Sequence, residues 1–79
     1  MIAVNLETSE TFYFGTQAEA GRQLGISDKH ISAVSKGLRR TTYGFWFTYA
    51  DENAVEKTRV KFGDKVAEKV EKLMNANRN

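Results

Sequence analysis

The chain has 79 residues, of which 41% are hydrophobic and 11% aromatic, and its formal net charge is +2. A chain of this length forms one small domain, and its lack of cysteine excludes disulfides and cysteine-ligated metal sites. Because zinc sites need several ligands and His30 is the single histidine, we expect no metal and no cofactor.

Targeting and membrane segments are not predicted. The start of the chain lacks the charged-then-apolar pattern of a signal peptide. No apolar run approaches the roughly 20 residues that a membrane-spanning helix needs. We therefore expect a soluble, cytoplasmic protein that does not contact a membrane.

Residues 1–15 have the pattern of a β-hairpin. Apolar and β-branched residues fill 2–6 and aromatic residues fill 11–14, so both segments favour strands. The polar residues 7–10 between them suit a turn, and Gly15 ends the second strand.

Residues 16–37 have the sequence marks of a helix-turn-helix, in which two short helices are joined by a tight turn. Thr16, with Glu19 three positions later, has the spacing of a capping box, and Gly25 ends the first helix. The small residue Gly21 would let the second helix cross close to the first.

The second helix begins after its N-cap Ser27, continues to about Lys36 and is closed by Gly37. Helical spacing predicts that its inward face consists of Ile31, Val34 and Leu38.

Residues 43–49 alternate with a period of two, which is typical of a strand. One face of this strand is aromatic and consists of Tyr43, Phe45, Phe47 and Tyr49, of which we expect Phe45, Phe47 and Tyr49 in the core. Trp46 lies on the opposite face. Either the C-terminal segment covers it, with Phe62 as a neighbour, or it is an exposed anchor for a partner.

Residues 52–79 are predicted to form a helical extension of a helix-turn-helix domain over residues 1–51. Asp64 caps a helix with one apolar face. That face either packs on the rest of the domain or contacts a second copy in a homodimer, because lysine and glutamate flank it as in a coiled coil. The residues of such a partner or dimer contact are Trp46, Val66, Val70 and Leu73. The predicted fold is thus a small α+β domain with an N-terminal hairpin, two helices, an aromatic strand and a C-terminal helix.

Positive charge is concentrated in the middle of the chain. Residues 27–50 contain four lysines or arginines and one aspartate. In helix-turn-helix proteins the second helix enters the major groove, and basic and hydroxyl side chains beside it contact phosphates. We therefore predict a DNA-binding surface from helix 27–36 and the basic segment 36–42. Its residues are Lys29, His30, Ser32, Ala33, Lys36, Arg39, Arg40, Thr41 and Thr42.

Several features in a fixed order carry a resemblance to a known family. They are TQAEAGRQLGIS over residues 16–27, Ile31-Ser32, Lys36-Gly37, a basic stretch, and GFWFTYA over residues 44–50. This order resembles the NUMOD1 module, the helix-turn-helix repeat of phage and intron-encoded homing endonucleases, over about residues 3–51. The resemblance implies contact with double-stranded DNA from the second helix and the basic segment. It does not imply cleavage by this chain, which has neither an HNH nor a GIY-YIG nuclease motif.

No arrangement of residues meets the requirements of a catalytic site, so we do not expect an enzyme. Ser27, Ser32 and Ser35 lie near His30 in the sequence, but no acid completes a triad. The predicted function is specific or semi-specific binding of double-stranded DNA by a phage-type regulator or accessory protein. The alternative is a protein-binding inhibitor on the same scaffold, such as an anti-defence or host-takeover protein, with a host or phage protein as its partner.

Overall fold

The computed structural model describes residues 1–77, so Arg78 and Asn79 of the predicted C-terminal extension lie outside the described residues. The elements in chain order are β1 (Ile2–Asn5), β2 (Thr11–Tyr13), α1 (Gln17–Leu24), α2 (Asp28–Ser35), β3 (Phe45–Thr48), α3 (Ala54–Phe62) and α4 (Asp64–Ala76). This is the predicted small α+β domain, with its N-terminal hairpin, a strand after the second helix and a C-terminal helix.

The three strands form one antiparallel sheet in the order β2-β1-β3. Ile2 in the central strand lies opposite Tyr13 of β2 and opposite Thr48 of β3. All of Ile2, Ala3 and Val4 are fully buried, because β1 is covered by a strand on each side and by the core. This central, buried position explains why β1 consists of a nearly continuous run of apolar residues.

Helices α1 and α2 approach each other closely at Gly21. The Thr16 hydroxyl accepts the backbone N–H of Glu19 at 3.0 Å, which is one half of the predicted capping box. Gly25 ends α1 with a φ of 69°, a left-handed conformation that glycine adopts without strain. The N–H groups of Gly25 and Ile26 both donate to the carbonyl of Gly21, and a Cβ at Gly21 would lie 2.8 Å from the backbone oxygen of Ile26.

One hydrophobic core takes residues from both sides of the predicted boundary at residue 51. Ile26, Ile31 and Val34 come from the helix pair, and Ala54, Val66 and Val70 come from the C-terminal helices. The ring of Trp46 packs edge-on against Phe62 with 5.3 Å between centroids, and only 8% of Trp46 is exposed. The prediction that the C-terminal segment covers Trp46, with Phe62 beside it, is confirmed.

The apolar stripe of the last helix packs inside the chain. Val70 is fully buried, Val66 is 7% exposed and Leu73 is half-buried. Together with the burial of Trp46, this leaves little surface on the proposed dimer contact. The structure therefore agrees with packing on the domain, the first of the two alternatives for this stripe.

Three predictions about local structure are wrong. Leu38 is not on the inward face of α2 but is 80% exposed, because α2 ends at Ser35 and Gly37 turns the chain at a φ of 79°. The aromatic face is shorter than predicted, since β3 begins at Phe45 and ends at Thr48. Tyr43 and Tyr49 therefore lie outside the strand and are 71% and 38% exposed.

Helix α3 lies within the predicted helical extension 52–79, but the sequence pattern did not predict it as a separate helix. It covers Ala54–Phe62 and buries only Ala54 and Thr58. Such a small buried face gives little helical periodicity in the sequence. The helix nevertheless places Phe62 over Trp46, which completes the core on that side of the sheet.

Replacing Gly21 with alanine is expected to destabilise the fold by about 1–3 kcal/mol, the usual cost of overpacking. The same exchange in an ordinary helix interior stabilises by up to about 1 kcal/mol. Here the exchange is expected to lower the free energy of unfolding instead of raising it, because the new Cβ would lie too close to the Ile26 oxygen. Urea denaturation measures the effect, and Gln23→Ala on the exposed side of α1 is the control, with an expected change below about 0.5 kcal/mol. A stabilised Gly21→Ala variant would contradict the close contact between Gly21 and the Ile26 carbonyl in the turn.

Candidate nucleic-acid interface

The exposed face of α2 borders a shallow surface depression that brings together four of the predicted DNA-binding residues. These are Lys29, Ser32, Ala33 and Lys36. At one end of the depression, the side-chain amide of Gln17 donates to the Asp28 carboxylate at 3.0 Å and to the Asp28 carbonyl at 3.3 Å. These bonds tie the start of α1 to the start of α2. The Asp28 carboxylate keeps its negative charge, so this end of the depression is the less favourable one for an anion.

A second cluster lies beside this depression and contains His30, Arg39 and Tyr43. A guanidinium N–H of Arg39 lies 2.8 Å from Nδ1 of His30. Because a guanidinium has no acceptor, Nδ1 accepts the hydrogen bond in this arrangement. The Tyr43 ring lies 5.9 Å from the His30 ring, tilted by 56°. The imidazole thus holds Arg39 and Tyr43 next to α2.

Tyr43 and Gly44 form a two-residue turn that sequence analysis did not identify. The N–H of Thr42 donates to the Phe45 carbonyl, and the N–H of Phe45 donates to the Thr42 carbonyl, both at 2.9 Å. The φ angles of Tyr43 and Gly44 are 49° and 77°. Two successive positive φ values are typical of a type I′ hairpin turn, which favours glycine or asparagine at both positions. The Gly44 after Tyr43 was the only local signal for this turn.

Three predicted DNA-binding residues remain, and they differ in exposure: Arg40, Thr41 and Thr42. Arg40 is exposed and Thr41 is half-buried, so both have surface for a phosphate contact. Thr42 is 2% exposed, and its hydroxyl is buried without a hydrogen-bond partner among the described residues. The prediction that Thr42 contacts DNA is therefore corrected, because its side chain points into the protein and cannot reach a ligand.

Four exposed cations belong to α2 and the segment after it: Lys29 and Lys36 line the depression, Arg39 contacts His30, and Arg40 follows Arg39 in the chain. Within residues 1–77, none of them forms an ion pair with a carboxylate. Arg59 on α3 is the contrast, since its guanidinium donates to Glu56 and to Asp64, and these carboxylates raise the pKa of Arg59. The charge around α2 is thus available to an anion, whereas the charge of Arg59 is compensated within the protein.

Comparisons with family models, with curated proteins and with solved structures find no match to this chain. The resemblance to the NUMOD1 module therefore stays an expectation from the sequence. Within the described residues, no group of three or more histidine, cysteine, aspartate or glutamate side chains could hold a metal ion. No helix over residues 1–77 is both long and apolar enough to cross a bilayer.

Replacing Tyr43 with asparagine is expected to stabilise the fold by up to about 1 kcal/mol. Asparagine adopts a positive φ at lower cost than tyrosine, and Asn-Gly is the preferred sequence of a type I′ turn. Thermal unfolding measures the change. Tyr49→Asn is the control, because Tyr49 is an exposed tyrosine without a positive φ, and it should not stabilise. Equal effects of the two exchanges would contradict a strained turn.

Proposed function

We propose that this protein binds double-stranded DNA, with α1 and α2 acting as a helix-turn-helix. In this proposal α2 lies in the major groove, and residues 36–41 contact the phosphate backbone. The observation that carries the proposal is a set of four exposed cations without an ion-paired carboxylate, two on or at the end of α2 and two in the segment that follows it: Lys29, Lys36, Arg39 and Arg40. This surface carries four cations and the Asp28 carboxylate, and such an excess of one sign raises the local concentration of an oppositely charged partner. DNA is the densest linear anion available to a protein.

The side chains on α2 suit contacts with base edges. Lys29 could donate to guanine, Ser32 could contact a base or a phosphate, and the methyl group of Ala33 suits contact with a thymine methyl. All three line the same depression, which would face the base edges when α2 lies in the major groove. The close approach of α1 and α2 at Gly21 supports a rigid presentation of this face.

The basic segment suits contacts with phosphates. Lys36, Arg39 and Arg40 are exposed and follow directly on α2. In this proposal His30 is a positioning residue, because its Nδ1 accepts from Arg39 and orients the guanidinium. Arginine contacts phosphate oxygens with two N–H groups at once, so a fixed guanidinium plane favours the contact.

The proposal is tested with the Arg39→Ala/Arg40→Ala variant in a fluorescence-anisotropy titration of a labelled mixed-sequence duplex. Binding is measured between about 50 mM and about 200 mM salt, because each neutralised phosphate adds about 0.9 to the slope of log K against log salt. We expect wild type to bind with a steep slope. The double variant should bind more weakly, with a slope smaller by about 2.

The matched control is Lys65→Ala/Lys72→Ala. It removes the same charge from exposed positions on α4, which packs against α3 and β2. Its salt slope should equal that of wild type if α4 is outside the interface. Absence of wild-type binding at low salt would contradict the proposed function. An equal loss of slope in both variants would indicate general charge attraction and not this surface.

A second candidate function, a protein-binding inhibitor, has a different observation in its favour. A groove of 620 Å³ lies between the end of α2, strand β3 and α3, with Trp46 and Phe47 in its lining. Val60 at this groove is 80% exposed, which is unusual for a large apolar side chain on a helix. A protein partner would be expected to bury Val60.

Val60→Asp distinguishes the two functions. It adds a negative charge to a groove that Lys36 also lines but leaves Lys29, Arg39 and Arg40 unchanged, so DNA binding should weaken less than in Arg39→Ala/Arg40→Ala. If the protein is an inhibitor, a host protein captured at one-to-one stoichiometry by wild type should be lost with Val60→Asp and kept with Arg39→Ala/Arg40→Ala. The reverse pattern would contradict an inhibitor that uses this groove.

A further inference from the structure

Leu38 is an exposed apolar residue with positively charged neighbours in the chain. Its side chain is 80% exposed, and its neighbours in the chain include Lys36, Arg39 and Arg40. The core does not account for it, because Leu38 is absent from the buried cluster and from the partly buried residues packed against it. A leucine left in water beside three cations forfeits its burial free energy unless a ligand covers it.

The backbone of Leu38 is held in place. Its N–H donates to the Ala33 carbonyl at 2.9 Å, and the N–H of Arg39 donates to the same oxygen at 3.2 Å. The N–H of Gly37 donates to the Val34 carbonyl at 3.1 Å. The last turn of α2 therefore fixes the position of Leu38, and its exposure is not that of a frayed end.

Leu38 shares a surface with the outward residues of α2. It lines the same depression as Lys29, Ser32 and Ala33. A duplex that placed its major groove against Ala33 would therefore also meet Leu38. Among the groups on base edges in that groove, the 5-methyl of thymine is the apolar one.

We propose that Leu38 is a specificity-determining residue that packs, together with Ala33, against a thymine methyl group in the major groove. The proposal rests on the proposed function, since it requires α2 to lie in that groove. Leu38 supplies apolar contact and no charge, whereas Lys36, Arg39 and Arg40 supply charge. Affinity from Leu38 is therefore expected to depend on the base composition of the duplex and not on salt.

Deoxyuridine tests this contact, because it lacks only the methyl group of thymidine. Wild-type binding is measured to an alternating A·T duplex and to the same duplex with uracil in place of thymine. We expect wild type to bind the uracil duplex about fourfold to fifteenfold more weakly, the effect of one or two buried methyl groups. Leu38→Ala should bind the thymine duplex more weakly by a similar factor and respond less to uracil. Its salt slope should equal that of wild type.

Val60→Ala is the matched control, because Val60 is as exposed as Leu38 but does not line the depression. It should keep the wild-type preference for thymine. Leu38→Met should also keep it, since methionine retains an apolar side chain of similar size. Unfolding midpoints equal to that of wild type show that the variants are folded.

The outcomes separate the two proposals. If wild type binds neither duplex at low salt, the proposed function fails. If wild type binds both duplexes equally, or if Leu38→Ala weakens binding to both by the same factor, DNA binding stands and the contact between Leu38 and thymine is overturned.

Discussion

The pairing of β1 with both other strands is the constraint on which the rest of the fold depends. β2 follows β1 after a short turn. β3 begins only at Phe45, about forty residues after the end of β1. Because both strands pair with β1, residues 14–44 must leave the sheet at one edge and return to the opposite edge. Helices α1 and α2 lie within this excursion, and Ile31 and Val34 of α2 anchor it to the core.

The return to the sheet explains where the exposed cations lie. After α2 ends at Ser35, the chain has nine residues in which to reach the first residue of β3. Gly37 turns it away from the helix, and Tyr43 and Gly44 reverse it into the strand. The residues between the two turns include Arg39 and Arg40, which are exposed because this connection crosses the surface. The same path brings Arg39 back against His30.

The sequence predicted the ends and types of elements correctly where short-range signals, such as helix caps, agree with the burial of the side chains. Thr16 and Gly25 marked the ends of α1 correctly, because caps depend on residues close in the chain. Leu38 was misplaced because helical spacing was extended past a glycine that had already ended the helix. The short, weakly buried face of α3 gave no periodic signal. The contact between His30 and Arg39 depends on the path of the loop, which no periodicity specifies.

Three departures from ordinary sequence–structure agreement lie in residues 37–44, and comparable ones lie elsewhere, since Ser9 also has a positive φ of 65° and Val60 is also 80% exposed. In residues 37–44 a leucine is exposed, and Thr42 buries a hydroxyl without a partner, at a typical cost of about 1–3 kcal/mol. Tyr43 holds a positive φ, which costs on the order of 1–3 kcal/mol for a residue other than glycine. Thr48 is the other buried hydroxyl without a partner among the described residues, and it lies in the sheet. Such local conflicts in natural proteins are expected at functional or strained sites. Those in residues 37–44 lie in the same connection as the exposed Arg39 and Arg40, where the proposed function places contacts with phosphates.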